Sequence, residues 1–229
     1  MQIFFVRHGE TDWQALETRG VRGWARSFAP LTPIGRVQID TIARDYRLAE
    51  AEAILCSSYA RALESAALLN RKLNKPLYVE YDLHEWLPQK DPLADVDAAT
   101  IAKATEEFTY YTGYTPPHDN QQRGGSSHAG PAHRHAHRPP PPPPPEARSW
   151  ESIEEVRSRV LSALQRYTHL NNVIVVSHAV VIASIVGVQR MIQHAEIVPF
   201  QLDFATLESD ANTASPSAVP VPKSKSRMP

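Results

Sequence analysis

The sequence predicts an α/β fold, a three-layer sandwich in which a mostly parallel central sheet is flanked by helices. Three observations point there. Two apolar runs, IFFV at 3–6 and VIVV at 173–176, show no polar alternation. That is the pattern of strands buried on both faces, as the strands of parallel sheets are. Runs of this kind alternate along the chain with stretches of helical periodicity, which is how parallel strands joined by covering helices read. The chain has 229 residues, 42% of them hydrophobic, enough for one such domain with a substantial core.

The elements follow in order. β-Branched and aromatic side chains make residues 3–6 a strand. Arg7 and His8 stand at its C-terminal end, and Gly9 is expected to let the backbone turn there. In LTPIGRVQIDTIARDYRLAE (31–50), Thr32 suits an N-cap and Pro33 the first helical turn. Ile39, Ile42, Ala43 and Tyr46 then recur at helical spacing. AEAILCSS (51–58) reads as a second buried strand, and YARALESAALLNRKL (59–73) as a helix with Ala62, Ala66, Leu69 and Leu73 on one stripe. PLYVE (76–80) is a third strand, and residues 94–111 suit a helix. Further on, Ser152 and Glu155 have capping-box spacing, and Ile153, Val156, Val160, Leu164 and Tyr167 form a regular helical face. NVIVVSH (172–178) is a strand, AVVIASIVGVQRMI (179–192) an apolar helix behind it, and FQLDFATL (200–207) a last strand.

Composition narrows the function. The formal net charge is -1, so no nucleic acid is expected as an electrostatic partner, and an anion site has to be a local basic cluster. The single cysteine, Cys56, excludes an intrachain disulfide and a thiolate zinc site. It fits a reducing compartment, and with no basic leader after Met1 the expected location is cytoplasmic. The apolar stretch around 172–191 is broken by Ser177, His178, Ser184, Gln189 and Arg190, so no membrane span is expected. Residues 115–148 hold His128, His133, His135, His137 and seven consecutive prolines, with almost no large apolar side chains. Such a segment cannot offset its ordering entropy and is expected to be disordered. Its histidines suit a transition metal, its proline run suits the aromatic groove of an SH3- or WW-type partner, and its abrupt composition also suits a pair of compensating frameshifts. The expected organisation is a single domain over 1–208, interrupted at 115–148, with a disordered tail over 209–229.

Three strands deliver basic or imidazole groups to one edge of the sheet. Arg7 and His8 end the first strand, Arg61 lies in the first turn after the second, and His178 follows VIVV. Taken singly, Arg61 reads as a solvated helix residue and His178 as a hydrogen-bonded core histidine. Taken together, they meet where open α/β sheets bind ligands. Two guanidinium groups bind phosphate oxygens through paired donors, and a neutral imidazole can attack phosphorus. Glu85, in YDLHEWLPQ after the third strand, is a candidate proton donor if partly desolvated, and otherwise a surface carboxylate.

VRHGET (6–11), LTPIGRVQ (31–38), CSSYARALESA (56–66), LHEW (83–86) and VVSHAVVI (175–182) together resemble the ordered motifs of the histidine phosphatase superfamily, phosphoglycerate mutase-like proteins. The resemblance implies that His8 is the phosphorylated nucleophile and that Arg7, Arg61 and His178 complete the phosphate pocket. It also makes Glu85 the proton donor and a small phosphorylated molecule the substrate, with no metal in this step and no cofactor. Mutase-like members carry an arginine directly after the acid, where this chain has Trp86, and a glycine after the second histidine, where it has Ala179. HEWLP is similar to the phosphatase members, so hydrolysis is expected rather than mutase transfer. The rival readings are a catalytically silent phosphate-binding protein and a metal-dependent phosphatase with Asp82 and His84 as ligands.

Overall fold

The computed structural model describes residues 1–91, 99–100, 102–103, 148–187 and 190–204. The His/Pro-rich segment up to residue 147, the tail from 209 and all but four residues of the helix expected over 94–111 lie outside them.

A five-stranded sheet has β1 (Gln2–Arg7), β2 (Ala53–Ser57), β3 (Leu77–Glu80), β4 (Asn172–Ser177) and β5 (Ile197–Gln201) in the order β3-β2-β4-β1-β5. The pairs β2–β3, β2–β4 and β1–β4 are parallel. β5 runs antiparallel beside β1 at the edge. The helices are α1 (Gln14–Glu17), α2 (Pro33–Ile42), α3 (Ala60–Leu73), α4 (Ile153–Gln165) and α5 (Ala179–Val186). This is the α/β sandwich that the apolar runs imply.

Two cores explain why those runs lack alternation. Ile3, Phe5, Leu55, Val173 and Val175 pack on one face with Val156 and Val160 of α4 and Val181 and Ile182 of α5. Val6, Ile54, Cys56, Ile174 and Val176 pack on the other with Ile39 of α2 and Ala62, Ala66 and Leu69 of α3. Successive strand residues alternate in direction, so both sets have to be apolar when both faces are covered. The capping box at Ser152 is formed: Glu155 N donates to Ser152 Oγ at 3.1 Å and Ser152 N to a Glu155 carboxylate oxygen at 2.7 Å. Among the described residues no helix is long and apolar enough to cross a membrane.

Four expectations need correction. The last strand is Ile197–Gln201 rather than 200–207; it contains Pro199, which an edge strand tolerates because one side needs no N–H donor. The apolar helix stops at Val186, because Gly187 adopts φ 66 and its N–H closes on Ala183 O at 2.9 Å. Helix α2 ends at Ile42, and Tyr46 lies outside it, 83% exposed, in a short turn begun by Asp45. Gly9 is not needed for a left-handed turn, since the only glycines with positive φ among the described residues are Gly20, Gly23 and Gly187. It is needed for contact: a Cβ there would sit 2.5 Å from Gly35 O, and one on Gly35 would sit 2.2 Å from Glu10 O. The two glycines let the loop after β1 lie directly on the first turn of α2.

Candidate active site

That loop is tied down on every side. Glu10 N donates to the Gln38 side chain at 2.9 Å, and Thr32, the N-cap of α2, donates its hydroxyl to Glu10 at 2.8 Å while accepting from Gly35 N at 2.9 Å. Gly9 N donates to Ser65 Oγ of α3 at 3.1 Å. His8 N continues the parallel ladder to Ser177 O at 3.0 Å. His8 is therefore placed by main-chain bonds at the C-terminal edge of the sheet.

Its ring chemistry follows from its partners. His8 Nδ1 lies 2.7 Å from Gly9 O, which only accepts, so Nδ1 carries the proton. Nε2 is then an acceptor, and Arg61 Nε donates to it at 3.2 Å. Burial, followed by the charges of Arg61 and Arg7, holds the His8 pKa well below 6.5. At neutral pH His8 is thus uncharged, with its Nε2 lone pair turned to the Arg61 guanidinium. Arg61, in the first turn of α3, is 5% exposed and also lies over the rings of Tyr59, at 5.0 Å, and Trp13, at 5.3 Å. Arg7 donates to Ile192 O at 2.6 Å and to Nε2 of His194 at 3.0 Å. Burial and the neighbouring Arg7 charge lower the His194 pKa to about 4.

His178, directly after β4, packs edge-on against His8 with ring centroids 5.1 Å apart. Its Nε2 lies 2.8 Å from Ser57 Oγ at the end of β2. Its Nδ1 is buried without a hydrogen-bond partner among the described residues. Burial, then Arg61 and His8, lower its pKa well below 6.5.

Glu85 belongs to a loop crossing the same edge. Ser177 Oγ donates to Leu83 O at 2.8 Å, which joins this loop to the end of β4. Glu85 accepts from Trp86 N at 2.9 Å. Burial raises its carboxyl pKa, against the opposing pull of Arg61, Arg7 and Arg159. His84 Nδ1 donates to Glu85 O at 2.7 Å, and its ring packs against Tyr59 and Tyr81. Asp82 lies 3.8 Å from Arg166. Among the described residues no group of three or more His, Cys, Asp or Glu side chains comes together to hold a metal ion.

Arg7, His8, Arg61 and Glu85 line one cavity of about 910 Å³. His178 is wholly buried and does not reach its wall. The sequence reading therefore brought together four residues on one cavity and a fifth behind His8. It missed His194, Trp13, Arg22, Trp24 and Arg26, which line the same cavity. His194 carried a usable signal: it precedes an antiparallel strand, whose start falls at the edge where parallel strands end. Arg22, Trp24 and Arg26 carried none, since they lie in an irregular stretch with a short 3-10 turn at Gly23–Phe28.

The fold and site define an α/β protein with a guanidinium–imidazole cluster at the C-terminal edge of its sheet. The sequence model of the histidine phosphatase superfamily (branch 1) matches residues 3–129 and 111–209, and the chain belongs to that superfamily. No curated protein matches it in sequence. Among solved structures it is similar to a mycobacterial glucosyl-3-phosphoglycerate phosphatase in complex with VO3, with TM-score 0.54 and 17% identity over 86% of this chain and 90% of that one. It is also similar to the alpha-ribazole phosphatase of Shigella flexneri, with TM-score 0.53 and 20% identity over 89% and 91%. A Thermus thermophilus protein gives TM-score 0.53 and 18% identity over 87% and 92%. These likenesses are of fold.

Proposed function

We propose that the protein is a metal-independent phosphomonoester hydrolase working through a phosphohistidine on His8. The observation that carries this is the His8 ring itself, with Nδ1–H fixed by Gly9 O and a neutral Nε2 facing Arg61. That two of the similar structures are of phosphatases supports the reaction class.

In the first step Arg61 turns its Nε–H from His8 Nε2 to a phosphate oxygen, and the freed Nε2 lone pair attacks phosphorus as the P–O ester bond breaks. Arg7 and Arg61 hold the equatorial oxygens, which carry the charge of the transfer. His178, behind the cavity wall, packs edge-on against the His8 ring and holds it in place. The leaving alkoxide takes the proton of Glu85, whose burial favours the acid form of the carboxyl. In the second step Glu85 removes a proton from water as its oxygen attacks the phosphohistidine. The P–N bond breaks, Nε2 regains its lone pair and inorganic phosphate leaves. Trp86 stands where an arginine would grip a transferred phosphoglycerate, and its indole N–H is already engaged by Glu151 O at 2.6 Å. Hydrolysis fits this better than mutase transfer.

The test is phosphate release from p-nitrophenyl phosphate in excess EDTA. Turnover that persists, and an acid-labile phosphoryl label on the wild type but not on His8→Ala, are expected. An acid-stable label, or full activity in His8→Ala, overturns the proposal.

A further inference from the structure

The loop that carries Glu85 is held from outside by one ion pair. Arg159, on α4, donates from Nε and Nη2 to the two carboxylate oxygens of Glu151 at 2.5 and 2.9 Å. Its remaining donors go to the acid loop: Nη1 to Asp82 O at 2.5 Å and Nη2 to Glu85 O at 3.4 Å. Glu151 answers from the same side. Its carboxylate accepts from Leu87 N at 3.2 Å, its carbonyl from the Trp86 indole at 2.6 Å, and its N–H donates to Leu87 O at 2.9 Å. The side chains of Arg159 and Glu151 are 13% and 8% exposed. One buried fork thus grips the main chain on both sides of Glu85, although neither residue lines the cavity.

We propose that Arg159 and Glu151 are positioning residues that set the aim of the Glu85 carboxyl at the leaving oxygen. This rests on the reading of Glu85 as the general acid. The main-chain carbonyls of 82 and 85 are pinned, so the loop has little freedom left between them. A planar fork with five donors can meet a carboxylate and two carbonyls at once, which a lysine cannot. Loosening the clasp leaves nucleophile and cluster in place and blunts proton delivery alone.

The readout is the dependence on leaving group. Glycerol phosphate expels an alkoxide that needs a proton in the transition state, whereas p-nitrophenolate leaves without one. The quantity read is kcat/KM, which reports the first step alone, and Glu85→Gln is the reference: it should lose far more kcat/KM on the first substrate than on the second. Glu151→Gln and Arg159→Lys should show the same bias at smaller size, with a kcat/KM loss about tenfold larger on glycerol phosphate. Arg159→Met should also move the alkaline limb of the pH profile upward, because it removes a cation that favours the Glu85 carboxylate, whereas Arg159→Lys keeps the limb in place. Should Arg159→Met not fold, Glu151→Gln and Arg159→Lys carry the test. Equal losses on both substrates, with Glu85→Gln showing the bias, overturn the positioning role and leave the acid assignment standing. A Glu85→Gln variant without bias removes the acid assignment, and the positioning role with it.

Discussion

The guanidinium–imidazole cluster and the loop carrying Glu85 meet at one cavity but are held by different forces. His8 and His178 follow the last residues of hydrogen-bonded strands, and the carbonyl of Ser177 fixes the His8 main chain across the β1–β4 ladder. Glu85 sits in a loop of few regular bonds, gripped by side chains 66 and 74 positions further along the chain. Strand ends are placed by the sheet, so they move only if the fold does. The acid loop depends on two side chains, so it can be loosened without unmaking the sheet. On the proposed reading, charge transfer at phosphorus falls to the rigid part and proton delivery to the adjustable part.

The contrast can be broken most severely at the cluster. His8→Ala should lower kcat by at least about a thousandfold on every substrate, whatever its leaving group, as measured by steady-state phosphate release. Glu85→Gln should cost about a hundredfold or more in kcat/KM on glycerol phosphate and far less on p-nitrophenyl phosphate. A uniform loss there would erase the distinction between the two regions. Stability sharpens it next. Arg159→Met leaves the Glu151 carboxylate buried and should destabilise by about 3 kcal/mol in urea unfolding. The double change Arg159→Met with Glu151→Leu should recover most of this without recovering activity on alkyl phosphates.

For a single group the smallest effect is in pH. His8, His178 and His194 have folded pKa values below the ordinary 6.5, that of His194 at about 4. Between the folded value and 6.5 the unfolded chain binds more protons. Stability is therefore complete above pH 6.5 and falls as pH drops below it, by up to about 1.4 kcal/mol per pH unit for each group. Glu85, raised by burial, acts in the opposite sense. Melting temperatures at pH 7 and pH 5.5 should show a net fall at the lower value, and His194→Asn should reduce it.

The same contrast explains what could be read without coordinates. Strands buried on both faces leave continuous apolar runs, so β1 and β4 were legible, and with them the edge where Arg7, His8 and His178 emerge. The helix stripe of Ala62, Ala66 and Leu69 set α3 against that sheet and so placed Arg61. The clasp was not legible, because an ion pair between α4 and a loop has no period. Arg22 and Arg26 were missed for the same reason: irregular backbone follows contacts, and contacts of that kind leave no pattern in the order of residues. Gly9 was legible as important but for the wrong cause, since proximity to Gly35 is a property of two distant segments.

The paired segments 87–90 and 149–151 have one more consequence. Leu87 O accepts from Glu151 N, and Lys90 N donates to Ser149 O at 2.7 Å. The two ends of the 91–148 segment are thus held together as a stapled doorway. Sequence between those ends can lengthen, shorten or be exchanged while strand order and the His8 position stay where they are. The same staple offers an engineer a place to splice in a foreign recognition module.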